Sequence, residues 1–245
     1  MKHRLLAAVL AASLTMGLSA CQAGDTEIRQ AIQTLAPGAK VTQISETGIN
    51  GIMEIAIDGD QGPMVVYGDE KGQFLLVGDM LDVKNRRNLT RERMDKLTEV
   101  KWDSLPLKDA VKVVKGNGQR KFAVFSDPDC PYCKKAEVEF NKLDNVTIYT
   151  FLYPLAFHQD AARKSKLVWC SKDRGQAWLD LMLKGKLPTG KTDCGNPIDA
   201  NMALGARLKV DGTPAMFLVN GKRVPGYVPA DRLEAMLVAA EKEAR

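Results

Sequence analysis

The run Phe122-Ala-Val-Phe-Ser-Asp-Pro-Asp-Cys130-Pro131-Tyr132-Cys133-Lys134-Lys135-Ala-Glu constrains this chain more than any other stretch. An apolar strand, a short turn and a helix opening on two cysteines follow one another without a gap. The strand must therefore deliver both thiols to a helix N-terminus. There, unpaired backbone N–H groups and the positive end of the helix dipole face Cys130. Such placement lowers a cysteine pKa from about 8.5 into a range of roughly 3.5–7.5. Cys133, nearly one turn further in, is expected to be more buried and to resolve rather than attack. Lys134 and Lys135 add positive charge, of small effect on exposed side chains. The pair reads as a dithiol that cycles with its own disulfide and needs no other cofactor. The alternative is half of a zinc site, which requires a second closely spaced pair of ligands. Cys170 and Cys194 have 23 residues between them, and His3 and His158 are the only histidines. No metal is expected.

Met1-Lys2-His3-Arg4 is a basic head, and Leu5 to Leu18 is a mostly apolar run. That run is shorter than the about 20 residues of a membrane span and has the basic flank of a secretory signal. Residues 1–20 are read as a signal peptide. Leu18-Ser19-Ala20-Cys21 resembles a lipobox, which makes Cys21 the lipidated residue and gives the chain a lipid anchor. Ordinary cleavage nearby, leaving Cys21 free or removing it, is the alternative. Five cysteines are an odd number, and setting Cys21 aside leaves four that can pair. Export leads to an oxidising compartment where disulfides persist. Lys2 and Arg4 fall in the leader, so 33 basic residues face 30 acidic ones in the mature chain. This near-neutral balance argues against nucleic acid as a partner.

The roughly 225 residues that remain exceed one typical domain of about 100–150 residues, so two domains are expected. Residues 25–84 carry no cysteine and no tryptophan. Thr26 to Leu35 has apolar residues at helical spacing and stops at Pro37-Gly38. Val41–Ser45, Ile49–Asp58, Met64–Tyr67 and Phe74–Val77 read as strands separated by hairpin-type turns. A helix and a small antiparallel sheet bury a modest core, which pairing with a second copy would enlarge; a monomeric unit with the helix over the sheet is the alternative. Residues 85–105 read as a linker helix, with Thr90 as its N-cap and an apolar stripe at Met94, Leu97 and Val100.

The second domain, residues 106–245, opens with a short strand at Val111–Val114 and the central strand at Phe122–Phe125. The Cys130 helix to about Leu143 and a strand at Val146–Leu152 complete a parallel strand–helix–strand unit. Helical stretches follow at about Ala161–Lys184 and Pro197–Leu208. Met216–Val219 and Arg223–Tyr227 form a hairpin around Asn220-Gly221, and Asp231 caps a closing helix to Glu243. This order is that of an α/β thioredoxin-like domain with a helical insertion between its halves.

Several blocks carry a more specific resemblance: Phe125-Ser-Asp-Pro-Asp-Cys130-Pro-Tyr-Cys133-Lys, Phe151-Leu-Tyr-Pro, Arg163-Lys-Ser with Trp169-Cys170, Lys172-Asp-Arg with Ala177-Trp178, Gly212-Thr213-Pro214-Ala215, and Gly78-Asp79-Met80-Leu81-Asp82-Val83. Jointly they resemble the DsbC/DsbG family of periplasmic thiol:disulfide interchange proteins, over nearly the whole mature chain. The resemblance implies an α+β dimerisation domain, a linker helix and a thioredoxin-like catalytic domain, assembled as a V-shaped homodimer around a substrate cleft. It implies the periplasm of a Gram-negative bacterium, misoxidised exported proteins as substrates and a DsbD-type membrane reductase as electron source. It also implies that Thr213-Pro214 is a cis bond facing the cysteines and pairing with substrate backbone; an ordinary trans turn is the alternative. Pro131 and Tyr132 tune how readily the disulfide forms. This Pro-Tyr pair is similar to DsbG-like members, whereas DsbC has Gly-Tyr.

Cys170 and Cys194 are assigned to a structural disulfide in the insertion, contributing about 3.5 kcal/mol in the chain-entropy model; two reactive thiols are the alternative. His158 is expected to be a surface or turn residue rather than a base, since thiolate attack needs only an acidic nucleophile, alignment and a good leaving group. Three activities follow as expectations. The protein is a disulfide isomerase or reductase of exported proteins, a dimeric holdase chaperone, or a DsbG-like reductase that protects single cysteines from sulfenylation.

Overall fold

Phe122, Ala123, Val124 and Phe125 have no exposed surface, because strands flank them on both sides and helices cover both faces. The structure is a computed structural model that describes residues 20–59 and 62–244. Residues 1–19 of the expected leader and the side chain of Cys21 lie outside the described residues. Among the described residues, no helix is long and apolar enough to cross a membrane. Two compact units divide between Arg91 and Glu92.

The first unit runs α1 (Ala20–Leu35), β1 (Lys40–Glu46), β2 (Ile52–Gly59), β3 (Gly62–Asp69), β4 (Leu75–Leu76) and a short hairpin of β5 (Leu81–Asp82) and β6 (Arg87–Asn88). The main sheet is antiparallel in the order β1-β2-β3-β4. Ile28 and Ile32, one helical turn apart on α1, pack on Val41, Ile55, Ile57 and Val66. The helix starts at Ala20 rather than Thr26. The second strand starts at Ile52 rather than Ile49, because the Thr47 hydroxyl donates to the Ile52 carbonyl at 2.9 Å and accepts the Ile49 N–H at 3.2 Å, building a wider turn.

The division falls inside α2 (Leu89–Leu97). Thr90 does not cap it. Its hydroxyl is buried, 2.5 Å from the Tyr67 hydroxyl, and accepts the Met80 N–H at 2.8 Å. Asn88 caps instead, with Oδ1 accepting the Arg91 N–H at 2.8 Å. The expected linker helix over 85–105 is therefore a nine-residue helix followed by single 3-10 turns at Trp102–Ser104 and Leu107–Asp109. The Val100 N–H leaves the helical ladder to donate to the Gly221 carbonyl.

The second unit continues with β7 (Val111–Lys115), β8 (Arg120–Ser126), α3 (Pro131–Phe140), β9 (Val146–Leu152), α4 (Ala161–Trp169), α5 (Arg174–Lys184), α6 (Ile198–Arg207), β10 (Ala215–Leu218), β11 (Arg223–Pro225) and α7 (Ala230–Glu243). Its sheet has the order β11-β10-β8-β9-β7. β8 and β9 are parallel, with α3 as the crossover, and the other pairs are antiparallel. Alternation sends Phe122 and Val124 to α3 and α7, where Ala136, Phe140, Leu233 and Leu237 meet them. Ala123 and Phe125 point the other way, to Phe151, Leu204 and Phe217. Fully burying side chains of this size contributes roughly 1.5–3 kcal/mol each, so the central strand anchors the unit. This is the thioredoxin-like arrangement with a helical insertion between β9 and β10.

Two local expectations change. The stretch 161–184 is two helices, because Asp173 accepts the Gln176 N–H and starts α5 afresh. Asp231 does not cap α7. Glu139, on α3, reaches across to accept the Ala230 N–H at 2.9 Å, so an acceptor from another element does the work of a cap.

Candidate active site

The loop from β8 to α3 carries the two cysteines. Cys130 is the N-cap residue of α3 and Pro131 occupies the first helical position, where a missing N–H leaves nothing unsatisfied. Cys133 lies inside the first turn with almost no exposed surface, and both thiols are free. Tyr132 between them is 61% exposed, with the Lys135 ammonium 5.3 Å from its ring centroid.

Sheet register brings the distant Thr213-Pro214 to the same place. Ala215 at the start of β10 lies opposite Phe125 on β8, so residues just before the one meet residues just after the other. The Thr213–Pro214 bond is cis, and the Cys130 thiol donates to the Thr213 carbonyl at 3.4 Å. The structure thus gathers Cys130, Cys133, Pro131, Tyr132, Thr213 and Pro214 into one site.

The two sulfurs differ in environment. Burial pushes the Cys133 thiol up to about 12, opposed by hydrogen bonds from Ser126 and the Asp127 N–H. That N–H donates to the Cys133 sulfur at 3.4 Å. A group so disposed stays protonated at neutral pH.

Sequence reasoning missed a carboxylate beneath the loop. Asp127 is fully buried. Its Oδ1 accepts the N–H groups of Asp129 at 2.6 Å and Cys130 at 3.1 Å. Its Oδ2 accepts the Leu155 N–H at 2.6 Å and lies 3.0 Å from Nδ1 of His158. His158 is in a turn, as expected, but is no surface residue: its side chain is 21% exposed and packs against this carboxylate. An aspartate followed by proline just ahead of a helix could have been read as a turn-forming acceptor. No local signal pointed to His158. Beside it, Phe157 is 75% exposed. Asp129 pairs with Lys164 on α4 at 2.5 Å.

A second missed group lies one turn beyond Cys133. Glu137 is buried, and its Oε2 accepts the Trp178 indole N–H at 3.0 Å. Burial pushes its carboxyl up to about 7, against the Trp178 hydrogen bond and the nearby Lys115 charge.

Cys170 and Cys194 are bonded to each other, with Cα atoms 5.8 Å apart. They tie the end of α4 to the segment before α6. The Trp169 indole N–H donates to the Gly195 carbonyl at 3.1 Å, and the Arg174 guanidinium stacks 3.7 Å from the Trp169 ring centroid.

Comparison with known proteins follows the same division. Residues 19–91 match the model of the disulfide bond isomerase protein N-terminal domain, and residues 107–241 match that of the thioredoxin-like domain. The chain is 42% identical over 200 residues to the probable thiol:disulfide interchange protein DsbC of Bordetella pertussis, covering 82% of this chain and 69% of that one. It is 31% identical over 251 residues to the thiol:disulfide interchange protein DsbC of Dickeya dadantii, covering 98% and 96%. Among solved structures, a disulfide interchange protein from Neisseria gonorrhoeae is 46% identical with a TM-score of 0.54, covering 56% of this chain and 99% of that one.

Proposed function

The chain belongs to the DsbC family of thiol:disulfide interchange enzymes, and from that premise we propose that it isomerises and reduces wrong disulfides in exported proteins through Cys130 and Cys133. The observation that carries this is the asymmetry of the pair: Cys130 at the helix cap against the Thr213 carbonyl, and Cys133 buried as a thiol behind it. The Cys130 thiolate attacks one sulfur of a substrate disulfide. A mixed disulfide forms, and the other substrate sulfur leaves as a thiolate and takes up a proton. In isomerisation a second substrate thiolate attacks the mixed disulfide and releases Cys130 unchanged. In reduction the Cys133 sulfur, giving up its proton, displaces the substrate thiolate. The substrate then gains two electrons, and Cys130–Cys133 is left as a disulfide for a DsbD-type membrane reductase to reduce. The dithiol itself is the only redox group required.

Exposed apolar surface in the first unit supports a homodimer. β4 is an edge strand of two residues, and Phe74, Leu76, Val77, Leu81 and Val83 around it are all exposed. A contiguous apolar edge of this kind marks a protein-binding surface. The same surface favours a second reading, a holdase chaperone that shelters unfolded chains. The expected compartment is the periplasm, with Cys21 as the point of lipid attachment.

Cys130→Ser separates the readings. It should abolish refolding of a scrambled multi-disulfide substrate while suppression of aggregation survives. Undiminished refolding would overturn the exchange assignment. A parallel assay on a sulfenylated single-cysteine substrate tests protection of lone thiols.

A further inference from the structure

Asp127 touches the local frame of both cysteines from beneath the loop. Its main-chain N–H donates to the Cys133 sulfur, and its side chain accepts the Cys130 N–H. The second carboxylate oxygen points away from the cysteines, to the Leu155 N–H and His158 Nδ1 on the loop after β9. A fully buried carboxylate is costly unless its acceptor sites are filled. Three backbone N–H groups do so here, and His158 Nδ1 packs 3.0 Å from the second oxygen. Two loops 28 residues apart in sequence are thereby pinned through one side chain. The contacts constrain where the nucleophile's backbone sits, not only whether the domain folds.

We propose that Asp127, oriented by His158, is a positioning residue for thiol–disulfide exchange, holding the Cys130 loop and the Cys133 sulfur in the attacking arrangement. The inference rests on the proposed exchange role of the two cysteines. Asp127 touches no substrate; it acts by fixing the groups that do. Small displacements of a nucleophile reduce turnover steeply, by about 100-fold for roughly 1 Å. The bonds of Asp127 also hold the two cysteines in the close arrangement that their disulfide needs, so its removal favours the dithiol form. His158 packs its Nδ1 edge 3.0 Å from the second oxygen, beside the Leu155 N–H that bonds it. A neutral side chain that can donate from the Nδ1 position preserves this geometry, and an aliphatic one does not.

The test compares Asp127→Asn, His158→Leu and His158→Asn in the full mature chain. Two readouts are taken: kcat and KM for reduction of a disulfide peptide, and the equilibrium of the Cys130–Cys133 pair with glutathione. Asp127→Asn should lower kcat by about 10- to 100-fold with KM unchanged and shift the glutathione equilibrium toward the dithiol. His158→Leu should lower kcat in the same way, and His158→Asn should restore it. The double variant Asp127→Asn/His158→Leu should lose no more than Asp127→Asn alone, because the residues act as one unit. Unchanged kcat and equilibrium in a folded Asp127→Asn protein would overturn the proposal. So would loss confined to KM. If Asp127→Asn does not fold, His158→Leu decides at a partly exposed position, and wild-type behaviour there overturns it. The glutathione equilibrium needs no turnover. An inactive wild type whose variants still shift it would sink the exchange role and leave the positioning intact.

Discussion

The Cys130 sulfur lies 3.4 Å from the Thr213 carbonyl oxygen, 83 residues away in the chain. Antiparallel pairing of β10 with β8 alone produces that meeting. The surroundings of Cys130 are thus assembled from sheet register, with the helix cap supplying the thiol and a loop from another strand supplying the acceptor.

Cys133 is shifted from an ordinary value of 9.0 to about 12 by burial. Its thiolate fraction at pH 8 is then lower by about a factor of 1,000 than that of an ordinary cysteine, each unit being tenfold. Reduced protein treated with iodoacetamide between pH 6 and 10 should carry one label, on Cys130, as read by peptide mass spectrometry. A second label should appear only when the chain is unfolded. Equal labelling of both cysteines in folded protein at pH 8 would contradict the asymmetry on which the mechanism rests.

Glu137 makes stability depend on pH in the direction opposite to most carboxylates. Its folded value of about 7 lies above the ordinary 4.5, chiefly through burial. The folded chain therefore binds this proton more tightly than the unfolded chain. The corresponding stability is fully present below about pH 4.5 and is lost as pH rises through about 7. Glu137→Gln keeps an acceptor for the Trp178 indole and removes the ionisation. Relative to wild type, the variant should gain on the order of 3 kcal/mol between pH 5 and pH 8.5 in denaturant titrations. Parallel stability curves for the two proteins would show that the carboxyl is not carrying this cost.

Gly205 on α6 is a packing requirement. A Cβ there would run into the ring carbons of Tyr153, and the Tyr153 hydroxyl is anchored to the Val210 carbonyl at 3.2 Å. Alanine ordinarily favours a helix by about 1 kcal/mol over glycine. Here overpacking should outweigh that preference, and Gly205→Ala should destabilise the second unit by roughly 1–3 kcal/mol. Thermal unfolding followed by circular dichroism measures it, and a raised melting temperature would show that Tyr153 moves aside freely.

Legibility in the sequence followed locality. The apolar run Phe122–Phe125 marked the central strand because residues buried on both faces need no alternation. Cys130 and Cys133 were readable because two residues of spacing and a helix start are local facts. Thr90 and Asp231 were misjudged as caps for the converse reason: Tyr67 and Met80 claim the one hydroxyl, and Glu139 supplies the other cap from across the fold. Asp127 was in plain view, but its partners Leu155 and His158 arrive only after β9 turns back over the site. Glu137 carries no local signal, because its partner Trp178 reaches it only from α5.

The edge of the first sheet exposes apolar side chains. Phe74 and Val77 are each about three-quarters exposed beside β4, at the edge of the sheet. An open groove of about 500 Å³ lined by Ile49, Tyr67, Phe74, Leu75 and Met80 adjoins them. A second copy of the chain would bury these side chains and pair the edge, whereas a charge introduced there would have to be desolvated. Phe74→Asp/Val77→Asp should therefore convert a dimer to a monomer in light scattering at micromolar concentration. Reduction of a small disulfide peptide should be unaffected, because Cys130 and its surroundings belong to the second unit. Refolding of a large scrambled substrate should fall if two copies must enclose it. A wild-type monomer, or a double variant that remains dimeric, would place the self-association surface elsewhere.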